Sequence, residues 1–161
     1  MTKAAVRHIN RGYCGIGIEN AKTACNLGTL WRSAFCLGAD FIFTIGDRYH
    51  KQSSDTVQAW KHIPYWPFKD WDDFAESRPH DCPLVAIEIT DKARSLSTFT
   101  HPERAIYLLG PEDGGISKAA LEAAQSIVRI PSLYCLNVAT AGSIVLYDRN
   151  LKRGFPKEGF A

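Results

Sequence analysis

Residues 107–124, YLLGPEDGGISKAALEAA, contain an apolar run that ends in a glycine-rich turn and then passes into an alanine-rich helical pattern. The run RAIYLLG (104–110) predicts a buried strand, and Ser117 is placed to cap a helix over 117–125. Because glycine permits backbone conformations and close approaches that a Cβ forbids, the turn predicts a loop whose main-chain groups contact a ligand directly. GPEDGG matches neither the dinucleotide fingerprint nor the phosphate-binding P-loop. A tight turn without a ligand is the alternative that this loop alone leaves open.

Strand and helix patterns alternate along the rest of the chain as well. The strands are apolar throughout, which is typical of a parallel sheet covered by helices on both faces. In such sheets, ligands bind beyond the carboxyl ends of the strands. Strands are predicted at 13–19, 40–46, 83–90, 104–110 and 126–131, helices at 23–38, 70–78, 117–125 and 136–153, and a polar loop with a helical turn and a short extended piece at 48–68.

The composition of the chain limits the classes of protein that it can represent. The 161 residues, 45% hydrophobic and 22% charged, fit one globular domain over 1–161. No apolar stretch has the length of a membrane span, and the first residues lack a signal-peptide core, so we expect a cytoplasmic protein. The five cysteines form no CxxC pair, and the histidines show no ligand spacing, so we expect neither a disulfide scaffold nor a metal site. Cys25 and Cys36 lie in one helical pattern and are expected to be buried thiols.

The charge of the chain is informative mainly through its distribution. A formal net charge of +2 does not by itself indicate a nucleic-acid binder. Basic clusters with aromatic residues between them are typical of phosphate and base contacts, although solvated termini and a loop explain them equally well. The clusters are Lys3, Arg7, His8 and Arg11, then Arg48, His50 and Lys51, and finally Lys152, Arg153 and Lys157, with Tyr13, Tyr49 and Phe155 among them.

Three stretches, taken together, resemble the SpoU or TrmH-like branch of the SPOUT methyltransferases. NLGTLWR (26–32) is similar to the N-x-G-x-x-x-R element of motif one, LLGPEDGG (108–115) to motif two, and IPSLYCLNVATAGSIVLY (130–147) to motif three. The agreement in order, spacing and element type extends over about residues 13–150. The resemblance implies an α/β parallel-sheet fold with a C-terminal deep trefoil knot. It also implies S-adenosylmethionine-dependent 2′-O-ribose methylation of RNA, either tRNA or rRNA.

The resemblance further implies which residues form the site. One group would hold the cofactor, largely through backbone atoms, and the other would act in catalysis. There Arg32 would stabilise or deprotonate the ribose hydroxyl, and Glu112 would support a site shared with a second subunit. The cofactor-binding group is Thr90, Leu109, Gly110, Ile130 and Leu136. The catalytic group is Arg32, Asn26, Glu112 and Asn137.

The last helix and the third motif add two further expectations. Family members pair through the C-terminal knotted region, so we expect a homodimer whose contact includes Val138, Ala141, Ile144, Val145 and Leu146.

Motif three also departs from the family pattern. Cys135 and Ala139 stand where the family usually has serines, and the loop between Ile130 and Leu136 is shorter than usual. A base-methylating SPOUT enzyme and a non-catalytic RNA-binding relative therefore remain alternatives.

Overall fold

The computed structural model describes residues 12–46, 58–111 and 113–155. Within these ranges the chain forms a parallel sheet of seven strands with helices on both faces. The strands are β1 Tyr13–Glu19, β2 Phe41–Ile45, β3 Tyr65–Phe68, β4 Leu84–Ile87, β5 Arg94–Ser95, β6 Arg104–Leu109 and β7 Ser126–Arg129. The helices are α1 Ala24–Cys36, α2 Trp71–Ser77, α3 Lys118–Ala123 and α4 Val138–Arg153, with 3₁₀ turns at Ala59–Lys61 and Leu96–Thr98.

The order of the strands in the sheet is β3-β2-β1-β6-β4-β7-β5, and every pairing is parallel. The carboxyl ends of β6, β4 and β7 are therefore next to one another. Motifs two and three follow β6 and β7, and the predicted cofactor residue Thr90 comes shortly after β4. Parallel strands of a single sheet bring such loops together at one edge, which is where ligands bind in this class of fold.

An apolar core lies on each face of the sheet, which explains why the strands are apolar throughout. On one face, Trp31 of α1 and Val145 of α4 pack in the same core as Ile16 of β1. On the other face, Phe74 of α2 packs against Phe43 of β2, with ring centroids 5.1 Å apart. The predicted parallel α/β fold is confirmed.

A buried polar network holds the C-terminal half of α4 against the sheet. The Arg149 guanidinium donates hydrogen bonds to the hydroxyl of Tyr107 (3.1 Å) and to the carbonyl oxygen of Pro102 (2.6 Å). The same hydroxyl lies 2.6 Å from Nδ1 of His101, and Nε2 of that ring lies 2.8 Å from Asp148 Oδ2. Because Arg149 only donates, the arrangement that satisfies every group has Tyr107 donating to Nδ1 and the His101 hydrogen on Nε2. The network thus ties the last helix to β6.

One local prediction is confirmed, one is wrong, and one short strand was not predicted. Ser117 caps α3, since its Oγ accepts a hydrogen bond from the amide of Ala120 at 3.3 Å. Cys25 and Cys36, expected to be buried, are exposed. They lie on the face of α1 opposite the buried Leu27, Leu30 and Ala34. The two-residue strand β5 was not predicted, because two residues carry no periodicity.

The predicted dimer surface on α4 is also wrong in most of its residues. Val138, Val145 and Leu146 belong to the core of the chain itself, with exposures of 8%, 0% and 1%. Only Ile144 is exposed, and Ala141 is half-buried. The apolar positions of α4 therefore mark the face that packs on the sheet, and the outward face carries different residues.

Three predictions stay predictions: the trefoil knot, the single domain over 1–161 and the cytoplasmic location. In the described ranges, no helix combines the length and the apolar character needed to cross a membrane. Most of the predicted basic clusters, from Lys3 to Arg11, from Arg48 to Lys51 and at Lys157, lie outside the described residues.

Candidate active site

A cleft of about 220 Å³ opens above the carboxyl ends of β4, β6 and β7. Its walls are mostly apolar side chains with a small number of polar groups, which is typical of sites for small organic ligands. The cleft therefore lies at the edge of the sheet where the sequence predicts a ligand. It is lined by Ile87, Glu88, Ile89, Leu109, Gly110, Pro111, Gly115, Arg129, Ile130, Ser132, Cys135, Leu136, Val138 and Ala141.

Two glycines of the loop after β6 are required by its geometry. A Cβ on Gly110 would lie 2.5 Å from the carbonyl carbon of Gly115 and 2.6 Å from the nitrogen of Ile116. Gly115 itself has a φ of +68°, a conformation that side-chain-bearing residues rarely adopt. The loop thus turns back tightly on its own start, and its backbone forms one wall of the cleft.

Two carboxylates hold this loop from neighbouring strands. Glu88, directly after β4, accepts a hydrogen bond from the amide of Ile116 (2.8 Å) with one oxygen, and one from the amide of Ile89 (2.9 Å) with the other. Glu19 at the end of β1 is only 3% exposed and accepts from the amide of Ser117 at 2.8 Å. Hydrogen bonds from backbone amides to a carboxylate are stronger than neutral ones. The glycine loop is therefore fixed by the sheet itself.

An exposed ion pair adds a third contact to the same loop. Lys22, which lies between β1 and α1, donates a hydrogen bond to Asp113 across 2.6 Å. The hydrogen bond from Lys22 holds the pKa of the Asp113 carboxyl below its usual value. Since both side chains are more than 60% exposed (61% and 62%), this pair contributes little to stability.

Motifs one and three meet in a hydrogen bond between two asparagines. Asn137 caps α4, because its Oδ1 accepts from the amides of Ala139 (2.9 Å) and Thr140 (3.2 Å). Its Nδ2 donates to Oδ1 of Asn26 on α1 at 2.9 Å. Asn137 therefore acts both as a helix cap and as a link between α1 and the start of α4. The structure brings these two predicted catalytic residues together.

Arg32 lies apart from them. It is exposed on the outer face of α1, with Thr29 and Cys36, and it does not line the cleft. The six positions from Asn26 to Arg32 correspond to about 600° of helix, so the two side chains point in different directions. Among the described residues, Arg32 has no hydrogen-bond or ion-pair partner. Its catalytic role stays a prediction.

The other predicted residues are placed as follows. Leu109, Gly110, Ile130 and Leu136 line the cleft. Thr90 does not, but its Oγ1 is buried and has no hydrogen-bond partner in the part of the chain that the structure describes. Buried hydroxyls in proteins are usually hydrogen-bonded to protein, to a ligand or to ordered water. Glu112 lies outside the described residues.

Sequence reasoning missed three functional candidates, Glu19, Glu88 and Arg129. Arg129 ends β7, is exposed and lines the cleft. The available signal was a charged residue at the end of an apolar strand, in YCGIGIE for Glu19 and PLVAIEIT for Glu88. That signal does not name a partner, because Glu19 and the Ser117 amide are 98 positions apart.

The two described members of the third basic cluster have internal partners. Lys152 pairs with Asp148 at 2.7 Å and donates to the carbonyl oxygen of Leu96 at 2.6 Å. Arg153 donates to the carbonyl oxygen of His101 at 3.1 Å. These contacts indicate a structural role for both residues. In the described ranges, no group of histidines, cysteines and carboxylates is arranged to hold a metal ion.

Comparison with known families identifies the class of protein that this fold and cleft define. Residues 15–147 match the model of the SpoU rRNA Methylase family. The chain belongs to this family. Membership confirms the predicted class of enzyme, an RNA methyltransferase that uses S-adenosylmethionine.

Individual relatives agree with this assignment. The chain is 29% identical to the tRNA (cytidine(34)-2′-O)-methyltransferase of Ancylobacter novellus over 151 residues, which cover 86% of this chain and 89% of that protein. Its name agrees with the predicted 2′-O-ribose activity.

Solved structures share the fold. The SpoU methyltransferase AviRb from Streptomyces viridochromogenes superposes with a TM-score of 0.76 and 24% identity, over 88% of this chain and 60% of that one. The TrmH/SpoU tRNA modifying enzyme of A. aeolicus superposes with a TM-score of 0.77 and 18% identity, over 91% and 81%. This chain thus spans 60% of the length of AviRb, slightly under two thirds, and at these identities the likeness concerns the fold alone.

Proposed function

We propose that this protein transfers a methyl group from S-adenosylmethionine to the ribose 2′-hydroxyl of a tRNA nucleotide. The observation that carries the proposal is the cleft at the ends of β4, β6 and β7, two of which lead into motifs two and three. Next to this cleft, Asn26 of motif one is hydrogen-bonded to Asn137 of motif three. A tRNA substrate is supported by the similarity to a tRNA 2′-O-methyltransferase over most of both chains. The predicted cytoplasmic location agrees with a tRNA substrate and is part of this proposal.

The chemistry of the cleft fits S-adenosylmethionine. Ile87, Leu109 and Leu136 supply apolar walls for a flat adenine ring, and the backbone of the Gly110 loop supplies main-chain polar groups. The buried hydroxyl of Thr90, next to the cleft residue Ile89, is a polar atom that lacks a partner without a ligand. When bound, the cofactor supplies a methyl group on a positively charged sulfonium.

The residues of motifs one and three have two roles, stabilisation of the reacting oxygen and positioning. A ribose hydroxyl loses its proton as its oxygen is methylated, so negative charge develops on that oxygen and needs stabilisation. Arg32 supplies this stabilisation with a planar guanidinium that lysine does not reproduce. Asn26 and Asn137 are positioning residues that fix α1 and the start of α4 relative to each other. Arg32 does not line the cleft of its own chain. Methyl transfer therefore requires either that the bound RNA reaches from the cleft to Arg32 or that a second subunit places its own Arg32 next to the cleft.

A homodimer is part of the same proposal, with the contact moved to the outward face of α4. Ile144, Tyr147 and Leu151 are 36%, 53% and 64% exposed and follow one another at helical spacing. The ring of Phe155 lies against Tyr147, with centroids 5.4 Å apart, and extends this apolar stripe. A self-complementary stripe of this kind favours a two-fold pair. Light scattering should give about twice the chain mass of 17.9 kDa, and Tyr147→Asp should give monomers.

The experiment that tests the activity is a transfer assay with a matched pair of variants. Wild-type protein, unmodified tRNA and methyl-labelled S-adenosylmethionine should give a 2′-O-methylated nucleotide after nuclease digestion and mass spectrometry. Arg32→Ala and Arg32→Lys should each lower the single-turnover rate by at least about a hundredfold, the scale for loss of one transition-state contact. Both should keep the wild-type melting temperature and cofactor affinity, because Arg32 is exposed and outside the cleft.

Other products would redirect the assignment. A methyl group on a base indicates the base-methylating alternative. RNA binding without any product indicates a non-catalytic relative. An Arg32→Ala variant that reacts at the wild-type rate removes Arg32 from the chemistry.

A further inference from the structure

Two large apolar side chains project into solvent at the mouth of the cleft. Leu133 is 98% exposed and Tyr134 is 87% exposed, the highest values among the exposed large apolar residues of the described ranges. Their neighbours Ser132 and Cys135 line the cleft. A solvent-exposed apolar pair beside a binding site indicates a contact with another molecule.

The turn that carries this pair is held in place on both sides. The hydroxyl of Ser132 lies 2.8 Å from the carbonyl oxygen of Tyr134 and 3.3 Å from that of Ile130. On the other side, Asn137 caps α4 and is hydrogen-bonded to Asn26. The ring of Tyr134 is therefore presented at a defined place between the cleft and the start of α4.

Charge in the same cleft favours RNA as the molecule that covers the pair. Arg129 is exposed, lines the cleft and makes no ion pair with any other residue that the structure describes. A cation for phosphate next to an aromatic face for a base is the combination with which proteins bind single-stranded RNA. An apolar protein surface that covered Leu133 and Tyr134 would leave the Arg129 guanidinium without an anionic partner.

Building on the proposed function, we propose that Tyr134 stacks on a base of the substrate RNA beside the methylated ribose, with Arg129 contacting a phosphate of the same strand. Sequence-specific contacts to RNA are made mainly in single-stranded segments, where unstacked bases have exposed faces that stack on aromatic side chains. Tyr134 is a substrate-binding residue in this arrangement and takes no part in the chemical step.

Three substitutions at one position separate stacking from other contacts. Tyr134→Phe keeps the aromatic face, Tyr134→Leu keeps apolar volume without that face, and Tyr134→Ala removes both. Each variant is measured for tRNA affinity in the presence of S-adenosylhomocysteine, for KM and kcat with tRNA, and for cofactor affinity by calorimetry. Light scattering gives the molar mass of each.

Stacking predicts a specific pattern across the three variants. Tyr134→Ala and Tyr134→Leu should weaken tRNA binding and raise the KM by roughly five- to a hundredfold, as is typical of losing one stacked base. Tyr134→Phe should remain within about twofold of wild type. Cofactor affinity, kcat and molar mass should not change in any of the three.

The opposite results overturn the stacking contact. Wild-type affinity in Tyr134→Leu would show that apolar burial suffices, and a lower molar mass in Tyr134→Ala would show that a second copy covers the tip. If the wild type is active and Tyr134→Ala has an unchanged KM for tRNA, the stacking contact is refuted and the proposed function stands. Tyr134-dependent tRNA binding by a wild type that forms no product would refute the proposed function and leave the contact standing.

Discussion

The two loops that border the cleft are built in opposite ways. The glycine loop between β6 and α3 is held by carboxylates from two neighbouring strands, Glu19 and Glu88, and one of these is almost completely buried. The loop between β7 and α4 is exposed at every position from 131 to 137 and is held by one hydroxyl and one asparagine. The first wall of the cleft is therefore fixed by the fold before any ligand arrives.

This difference teaches how the site divides its tasks. A rigid wall favours the binding of a small cofactor, because the loop loses little conformational entropy when the cofactor binds. A substrate that is a large RNA needs exposed groups beside that wall. Under the proposed function, the glycine loop would meet the first need, and the loop with Leu133 and Tyr134 would meet the second.

The largest effect is expected from a change inside the fixed loop. Gly110→Val should lower the free energy of unfolding by more than about 3 kcal/mol, because its Cβ would meet the backbone of Gly115 and Ile116 at 2.5 and 2.6 Å. Cofactor binding should be lost with the loop geometry. Urea denaturation and calorimetry measure both quantities. Gly114→Ala is the matched control, since its Cβ would meet only Pro111 at 3.6 Å; equal losses in the two variants would contradict the close-approach argument.

An intermediate effect is expected from removing a carboxylate that holds the loop. Glu19→Ala leaves the Ser117 amide without its acceptor and should cost about 2 kcal/mol in unfolding free energy. Glu122→Ala removes an exposed acid that lies 3.7 Å from Lys118 and should change little. Both are read by thermal and urea denaturation. If Glu19→Ala and Glu122→Ala have the same unfolding free energy and the same cofactor affinity, the glycine loop does not depend on the Glu19 carboxylate.

The smallest effect on stability is expected at the exposed loop. Asn137→Ala removes the cap of α4 and should cost about 1 kcal/mol. Asn26→Ala loses the hydrogen bond between the motifs but leaves the cap. A double-mutant cycle on unfolding free energy and methyl-transfer rate isolates the contact between the two side chains. Strict additivity in both measurements would show that the link between motifs one and three is energetically silent.

The sequence predicted those parts of the site that depend on local pattern. The strand patterns predicted at 104–110 and 126–131 and the cap at Ser117 are properties of short segments, and the parallel sheet follows from the alternation of strands and helices. Motifs two and three indicated that the ends of β6 and β7 carry the cleft, and four of the five predicted cofactor residues line it.

Contacts between distant segments were not predictable in the same way. The sequence pattern indicates that Glu19 is the last residue of a strand, but no neighbouring residue predicts that the amide of Ser117 is its hydrogen-bond partner. The apolar residues of α4 do not reveal which face packs on the sheet, so Val145 and Leu146 were assigned to a surface that Tyr147 and Leu151 occupy instead. Arg32 was placed near the cofactor by its motif, whereas the turn of α1 sets its side chain on the outer face.

The network around His101 makes the attachment of the last helix sensitive to acid. Burial lowers the pKa of His101 below its ordinary value of 6.5, with Asp148 opposing the shift, so the folded chain keeps the ring neutral where the unfolded chain takes up a proton. The unfolded state then binds more protons, and this site's contribution to stability is complete above about pH 6.5 and declines as the pH falls below it. Protonation would add a hydrogen at Nδ1 of His101. Both this hydrogen and the Arg149 guanidinium would then point at the hydroxyl oxygen of Tyr107, and the hydroxyl hydrogen would lose its acceptor. Acidification therefore loosens α4 from β6 at the end of the helix opposite the cleft.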